Sequence, residues 1–235
     1  MNVEIWSDVM CPFCYIGKRK FENALVQFPH KNNINIIWKS FQLDPTTITD
    51  PNLNTIEHLA YKKGWSKEQA EQTTAHVTNI AKQVGLDFHF EKAVVANSFD
   101  AHRLSHLAKK YGKQNELEEQ LFKAYFTDGK NTADHNTLTE IGKAAGLAES
   151  EIANVLNSDL YAEEVHEDIE QAQQVGVRGV PFFMIDSKYA VSGAQESDTF
   201  LGALTKAYEE HATKNNLETI GSKTNDACGP DGCEI

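Results

Sequence analysis

Two cysteines separated by two residues, Cys11-Pro12-Phe13-Cys14, stand between the alternating stretch Val3-Glu4-Ile5-Trp6 and a helix-like segment over residues 15–28. Thiols one helical turn apart can form, break and exchange a disulfide. Unpaired N–H groups and the positive end of the dipole at a helix start favour a thiolate. Cys11 is therefore expected to be the exposed attacking thiol, and Cys14, one turn in, the buried resolving thiol. Pro12 suits the first helical turn, where its missing N–H has no intrahelical partner. The same spacing is half of a zinc site, and Cys228 and Cys233 are able to supply the other half. The run Cys14-Tyr15-Ile16-Gly17-Lys18 heads into a helix rather than a turn-rich hairpin, which favours redox chemistry over structural zinc.

A second motif lies far along the chain. Val175-Gly176-Val177-Arg178-Gly179-Val180-Pro181 precedes the apolar run Phe182-Phe183-Met184-Ile185. Proline is tolerated at the first residue of a strand and not at its centre. A cis Val180–Pro181 bond would set a tight turn there and leave the backbone of Val180 available to an extended peptide. The alternative is an ordinary loop proline.

His102-Arg103-Leu104-Ser105-His106 puts two histidines one helical turn apart, which is metal-ligand spacing, but no glutamate follows His102 as in the zinc-protease pattern. No metal and no cofactor is expected. The C-terminal Cys228-Gly229-Pro230-Asp231-Gly232-Cys233 favours tight reversal, so a disulfide closing that small loop is sterically reasonable.

The elements that must position these groups follow an interrupted α/β pattern. A strand is predicted over residues 3–7, a helix over 13–27 and a strand over 34–42 with Ile34, Ile36, Trp38 and Ser40 on one side. This is a β-α-β unit with a right-handed crossover. Helices are then predicted from a Ser66-x-x-Gln69 capping box to Gly85, over 99–111, over 116–127, from Asn136 to Gly146, and over 158–175. No further sheet signal is read until Pro181, after which strands over 182–186 and 189–192 and a helix over 198–214 complete the pattern.

The chain has 235 residues, 40% of them hydrophobic, which is enough for a sizeable core, and a net charge of -12 that argues against nucleic-acid or anionic-membrane partners. No basic segment followed by an apolar run opens the chain, and no stretch approaches the roughly 20 apolar residues of a membrane span. A cytoplasmic location is expected.

These residues resemble the DsbA family of thioredoxin-fold proteins, and within it the FrnE-like branch. The likeness is carried by Ile5-Trp6-Ser7-Asp8 with Cys11-Pro12-Phe13-Cys14-Tyr15-Ile16-Gly17, by Asn97-Ser98-Phe99-Asp100-Ala101-His102-Arg103-Leu104, by Gly176 to Phe183, and by Ser192-Gly193-Ala194-Gln195. The resemblance implies an α/β, thioredoxin-like fold with a large inserted α-helical subdomain. Residues 1–44 and 176–214 would form the thioredoxin-like part, 45–175 the insertion, and 215–235 a tail with the C-x4-C pair. It implies a disulfide oxidoreductase or isomerase with Pro181 facing Cys11 and Cys14. Protein or peptide disulfides would be the substrates, and glutathione or another low-molecular-weight thiol a partner. Pro12, Phe13, Val180 and Pro181 would support the site. Tyr15, His102, Arg103 and Gln195 are the candidates for substrate contact, and Cys228 with Cys233 for a secondary redox pair. Phe13 carries no charge or strong donor, unlike the histidine common at that place in strongly oxidising relatives, so an intermediate potential is expected. Two alternatives stand beside this reading. Kappa-class glutathione transferases and hydroxychromene carboxylate isomerases share the cap-on-thioredoxin architecture, but typically have serine where Cys11 stands and do not need Cys14. A non-enzymatic redox or metal sensor would use all four cysteines.

Overall fold

The computed structural model describes residues 1–214. Cys228, Cys233 and the tail assigned to 215–235 lie outside them. The order of elements is β1 (Asn2–Ser7), α1 (Pro12–Gln27), a 3-10 turn (Lys31–Asn33), β2 (Asn35–Ser40), β3 (Asp50–Asn54), α2 (Thr55–Lys63), α3 (Lys67–Gln83), β4 (Val94–Val95), α4 (Phe99–Lys110), α5 (Gln114–Phe126), α6 (His135–Ala144), α7 (Glu149–Leu156), α8 (Ala162–Val175), β5 (Phe182–Ile185), β6 (Tyr189–Ser192) and α9 (Ser197–Lys214).

Strand β1 buries Val3 and Ile5 on one face and Trp6 on the other because it sits inside a four-stranded sheet of order β2-β1-β5-β6. It runs parallel to β2, with Ile5 opposite Trp38, and antiparallel to β5, with Ile5 opposite Phe183. On one face Phe21 of α1, Phe183 of β5 and Phe200 of α9 interlock, with ring centroids 5.4 Å and 4.6 Å from Phe183. On the other, Trp6 packs with Phe182 and Ala172, and its indole N–H donates to the Asp168 carbonyl at 2.9 Å. That bond ties α8 to the sheet just before the chain returns as β5.

The helices between β2 and β5 join the sheet through an aromatic seam. Tyr15 of α1 stacks on Phe122 of α5 at 5.0 Å and on Phe88 at 5.9 Å, and Phe88 stacks on Phe126 at 4.7 Å. Beside the seam, Glu119 of α5 accepts hydrogen bonds from Tyr15 at 2.7 Å, Lys18 at 2.7 Å and Arg19 at 2.6 Å. Partial burial opposes the Glu119 charge, yet the Arg19 and Lys18 donors win and bring its pKa down to about 2. A carboxyl depressed in the folded state stabilises above its ordinary value of 4.5 and loses that contribution as pH falls toward 2. Glu119→Gln is expected to cost about 2 kcal/mol at neutral pH and to flatten the acid limb of stability over that window, as read by urea melts.

The Ser66 capping box is present, with Ser66 N–H to Gln69 at 2.9 Å and Gln69 N–H to Ser66 Oγ at 3.2 Å. Other expectations are corrected. A small second sheet, β3 antiparallel to β4, lies inside the helical insertion. The polar Asp-Pro-Asn-Leu-Asn run of β3 has no period-two alternation to announce it. Helices α2 and α7 were also missed, each being only two or three turns long. Helix α6 is capped by Asp134, whose carboxylate takes the Thr137 N–H, so it opens before Asn136. Helix α8 begins at Ala162 rather than 158 because the carbonyls of Val155, Ser158 and Leu160 are drawn to the Arg103 guanidinium, and Tyr161 turns left-handed.

Candidate active site

Strand β1 ends at Ser7 and the chain turns through Asp8, whose carbonyl accepts the Cys11 N–H at 2.9 Å. The Asp8 carboxylate takes the Met10 N–H at 3.2 Å and the Leu43 N–H at 2.7 Å, joining this loop to the segment after β2. Cys11 is the residue before α1 and Pro12 stands in the first turn. The Cys14 N–H closes that turn on the Cys11 carbonyl at 3.0 Å, and both thiols are free.

The Val180–Pro181 bond is cis, and the loop that carries it faces the thiols. Cys11 Sγ donates to the Val180 carbonyl at 3.5 Å across 169 residues of sequence. The Pro181 carbonyl accepts the Gly193 N–H at 2.8 Å, which fixes the loop against the chain following β6. Gly17 lets α1 approach from the other side: a Cβ there would come 2.9 Å from Pro181 Cγ and 3.5 Å from Ala194 Cβ. Gly17→Ala is expected to push the Pro181 ring away from the thiols and slow disulfide exchange about tenfold, with little change in far-UV dichroism; the rate of insulin reduction checks it.

Both sulfurs are covered. Cys11 is only 4% exposed, not the exposed thiol expected, because the Val180 loop lies over it. Phe13, at 41%, is the member of the motif that presents itself to solvent. Burial pushes the Cys14 thiol well up and neighbouring Cys11 adds to this, while the Ser7 hydroxyl and the Asp8 N–H oppose it. Beside the loop between β1 and α1 opens a cavity of ≈ 240 Å³ lined mainly by apolar groups of Met10, Leu43, Leu59 and Val95, with Asp8, Asp44, His58, Lys62 and Lys63 also on its wall. An apolar hollow next to a reactive pair is suited to a group flanking the disulfide under attack.

Of the four candidates for substrate contact, three are buried and only Gln195 is exposed. Tyr15 is 3% exposed, its ring in the aromatic seam and its hydroxyl on Glu119, so it is core. Arg103 is buried and engaged by Asp100 and by the carbonyls of Val155, Ser158 and Leu160, so it holds the turn between α7 and α8. Gln195 is exposed and bonds back to the Ser192 carbonyl at 2.9 Å. His102 is buried and faces Asp8, with Nε2 3.6 Å from Oδ1. Asp8 and Gly17 were given no role from sequence, although both stand inside the motif; an aspartate directly after a strand and a glycine within a helix are the signals that mark them.

A family model described as a DSBA-like thioredoxin domain matches residues 2–205. The chain belongs to that family. The similarity of this DSBA-like domain to a solved structure, a probable DsbA oxidoreductase from Streptomyces coelicolor, extends over 100% of this chain and 99% of that one, at 38% identity and a TM-score of 0.85. An uncharacterised protein of Bacillus subtilis, YwbO, is 25% identical over 87% of this chain and 96% of its own. The cytosolic disulfide reductase DsbM from Pseudomonas aeruginosa, solved with GSH, shares the fold at 13% identity and a TM-score of 0.61, over 92% of this chain and 100% of that one. No helix among the described residues is long and apolar enough to cross a membrane.

Proposed function

We propose that this protein is a thiol–disulfide oxidoreductase or isomerase acting on protein and peptide disulfides, with Cys11 as nucleophile and Cys14 as resolving thiol. The observation that carries this is the seating of two free thiols at the start of α1 with the Val180 carbonyl 3.5 Å from Cys11 Sγ. The Cys11 thiolate attacks one sulfur of a substrate disulfide, a Cys11–substrate disulfide forms, and the other substrate sulfur leaves as a thiolate that takes a proton from water. Cys14 loses its proton and attacks Cys11 Sγ; the protein disulfide forms and the second substrate thiol is released. Two glutathione molecules then restore the dithiol and are oxidised to their disulfide. Burial that disfavours the Cys14 thiolate leaves the first attack to Cys11. Val180, at the head of β5, supplies the backbone against which an extended peptide pairs, and Phe13 supplies an exposed apolar contact.

The FrnE-like branch and a glutathione-buffered cytoplasm are part of this reading. A small-molecule substrate is the second reading, favoured by the partly open cavity beside Met10; DsbM, a structural neighbour, was solved with GSH. Retention of Cys14 separates the two, since a transferase needs one sulfur ligand site and no resolving thiol. The deciding experiment equilibrates a Cys228→Ser/Cys233→Ser variant with graded glutathione buffers and counts the Cys11–Cys14 disulfide by thiol trapping and mass. A reversible transition at a potential between about -270 and about -120 mV is expected. Absence of an intramolecular disulfide in every buffer would overturn the dithiol mechanism in favour of the small-molecule reading.

A further inference from the structure

The exchange reaction leaves Asp8 and His102 without a part, yet both are buried beside it, at 2% and 3% exposure. The Asp8 carboxylate is held by the N–H groups of Met10 and Leu43, and the Asp8 carbonyl takes the N–H of Cys11 itself. Those two backbone donors fix the carboxylate in place. Opposite it, from α4, His102 Nε2 stands 3.6 Å from Asp8 Oδ1, an ion-pair separation too long for a hydrogen bond, and no hydrogen-bond partner among the described residues satisfies that nitrogen. A neutral imidazole gains only a weak N–H dipole contact from this seat, whereas an imidazolium gains a buried counter-ion.

The other charged groups around the pair are accounted for. Glu118 of α5 is buried and accepts the Ser105 hydroxyl at 2.7 Å; burial raises its pKa, against the pull of His102, Ser105 and Lys18 of α1. Asp168 of α8 is engaged by Lys39 at 2.8 Å, the Ser40 N–H at 2.9 Å and His106 at 3.0 Å. Tyr125 of α5 bonds Thr55 at 3.1 Å. For His102, burial works against the charge, but Asp8 first, then Glu118 and Asp168, raise its pKa above the ordinary value.

We infer that His102 is a charge-balancing, positioning residue for the redox couple: its imidazolium neutralises the Asp8 carboxylate beneath the redox loop, so the reduced Cys11 sulfur meets no uncompensated negative charge. This rests on the dithiol reading. When two glutathione thiols reduce the Cys11–Cys14 disulfide, its S–S bond breaks, the glutathione disulfide forms, and negative charge appears at Cys11 whenever that thiol gives its proton to water. Coupling between the His102 proton and that charge is reciprocal.

The test is a histidine NMR titration of the full-length Cys228→Ser/Cys233→Ser protein, ring-labelled at histidine, once oxidised and once reduced, with the His102 resonance assigned by His102→Gln. His102 is expected to bind its proton at least about threefold more tightly in the reduced protein. Coincident titrations in the two states overturn the inference. In glutathione buffers His102→Gln is expected to favour the protein disulfide about tenfold more than the parent, a shift of ~30 mV toward a stronger reductant. Asp8→Asn/His102→Gln should return to within about twofold of the parent, since the uncompensated charge is gone. A His102→Gln protein that loses thermal stability but keeps the parental equilibrium marks a merely structural histidine and overturns the inference; if that variant does not fold, the parental titration decides. A parent without a reversible Cys11–Cys14 disulfide overturns the dithiol reading and this inference together, whereas a reversible couple with coincident titrations removes this inference alone.

Discussion

Cys11→Ser is expected to lower disulfide exchange at least about a thousandfold, because a serine hydroxyl at that place supplies neither a thiolate nor a sulfur that can be resolved. Cys14→Ser is expected to behave differently: the first attack proceeds, resolution stops, and a mixed disulfide with glutathione accumulates on Cys11. Intact-mass measurement after brief exposure to oxidised glutathione reads both outcomes, since one adduct per chain is expected for Cys14→Ser and none for Cys11→Ser when Cys228 and Cys233 are also serine. The asymmetry has a structural origin. Cys11 Sγ meets the Val180 carbonyl, where a peptide would lie, while Cys14 lies one turn in at 1% exposure. A Cys11→Ser protein with parental activity would reassign the nucleophile, and a Cys14→Ser protein that turns over without adduct would remove the resolving role.

The largest expected effect on stability comes from Phe122→Ala. Phe122 is fully buried where three elements meet, with its ring 5.0 Å from Tyr15 of α1 and 6.3 Å from Trp38 of β2. Truncation leaves a cavity that neither the sheet nor α5 can close, because Tyr15 is held in place by Glu119. A loss of about 3–5 kcal/mol is expected, which for a chain of this size lowers the melting temperature by roughly 10 °C. Phe122→Leu, which keeps most of the volume, should cost about 1.5 kcal/mol or less. Thermal and urea melts of both variants check the pair; equal losses would mean that the ring's stacking, and not the volume it fills, sets the energy.

The parts of this site that were legible in the sequence are those whose chemistry is local. Cys11, Pro12 and Cys14 announce themselves because a thiol pair must lie within one turn, and Pro181 because a proline ahead of an apolar run fits few other places. Strands β1 and β2 and the Ser66 cap were readable for the same reason: alternation and capping are written in neighbouring residues. What escaped depends on residues brought together from afar. The burial of Cys11 is decided by Val180, and the direction of Tyr15 by Glu119. A helix periodicity says that Arg103 lies on α4, but the carbonyls that claim it belong to the last turn of α7 and the segment after it, and α7 has no signal in the sequence reading. Strand β3 has no pattern of its own; its pairing with the two residues of β4 is what gives it a place. Asp8 stands in plain view next to Cys11, yet its significance appears only when α4 sets His102 against it.

The position of β1 in the middle of its sheet has a consequence for biosynthesis. It is made well before its partner, since one of its edges pairs with Phe182–Ile185, near the far end of the described chain. At ribosomal speeds of about 5–20 residues per second, that edge waits on the order of ten seconds or more for its partner. Until then Val3 to Trp6 offer unpaired backbone to any passing strand, and Cys11 has no Val180 above it. The nascent protein thus carries an uncovered Cys11 thiol beside an unfinished sheet, open to oxidation and mixed-disulfide formation until the Val180 loop closes over it.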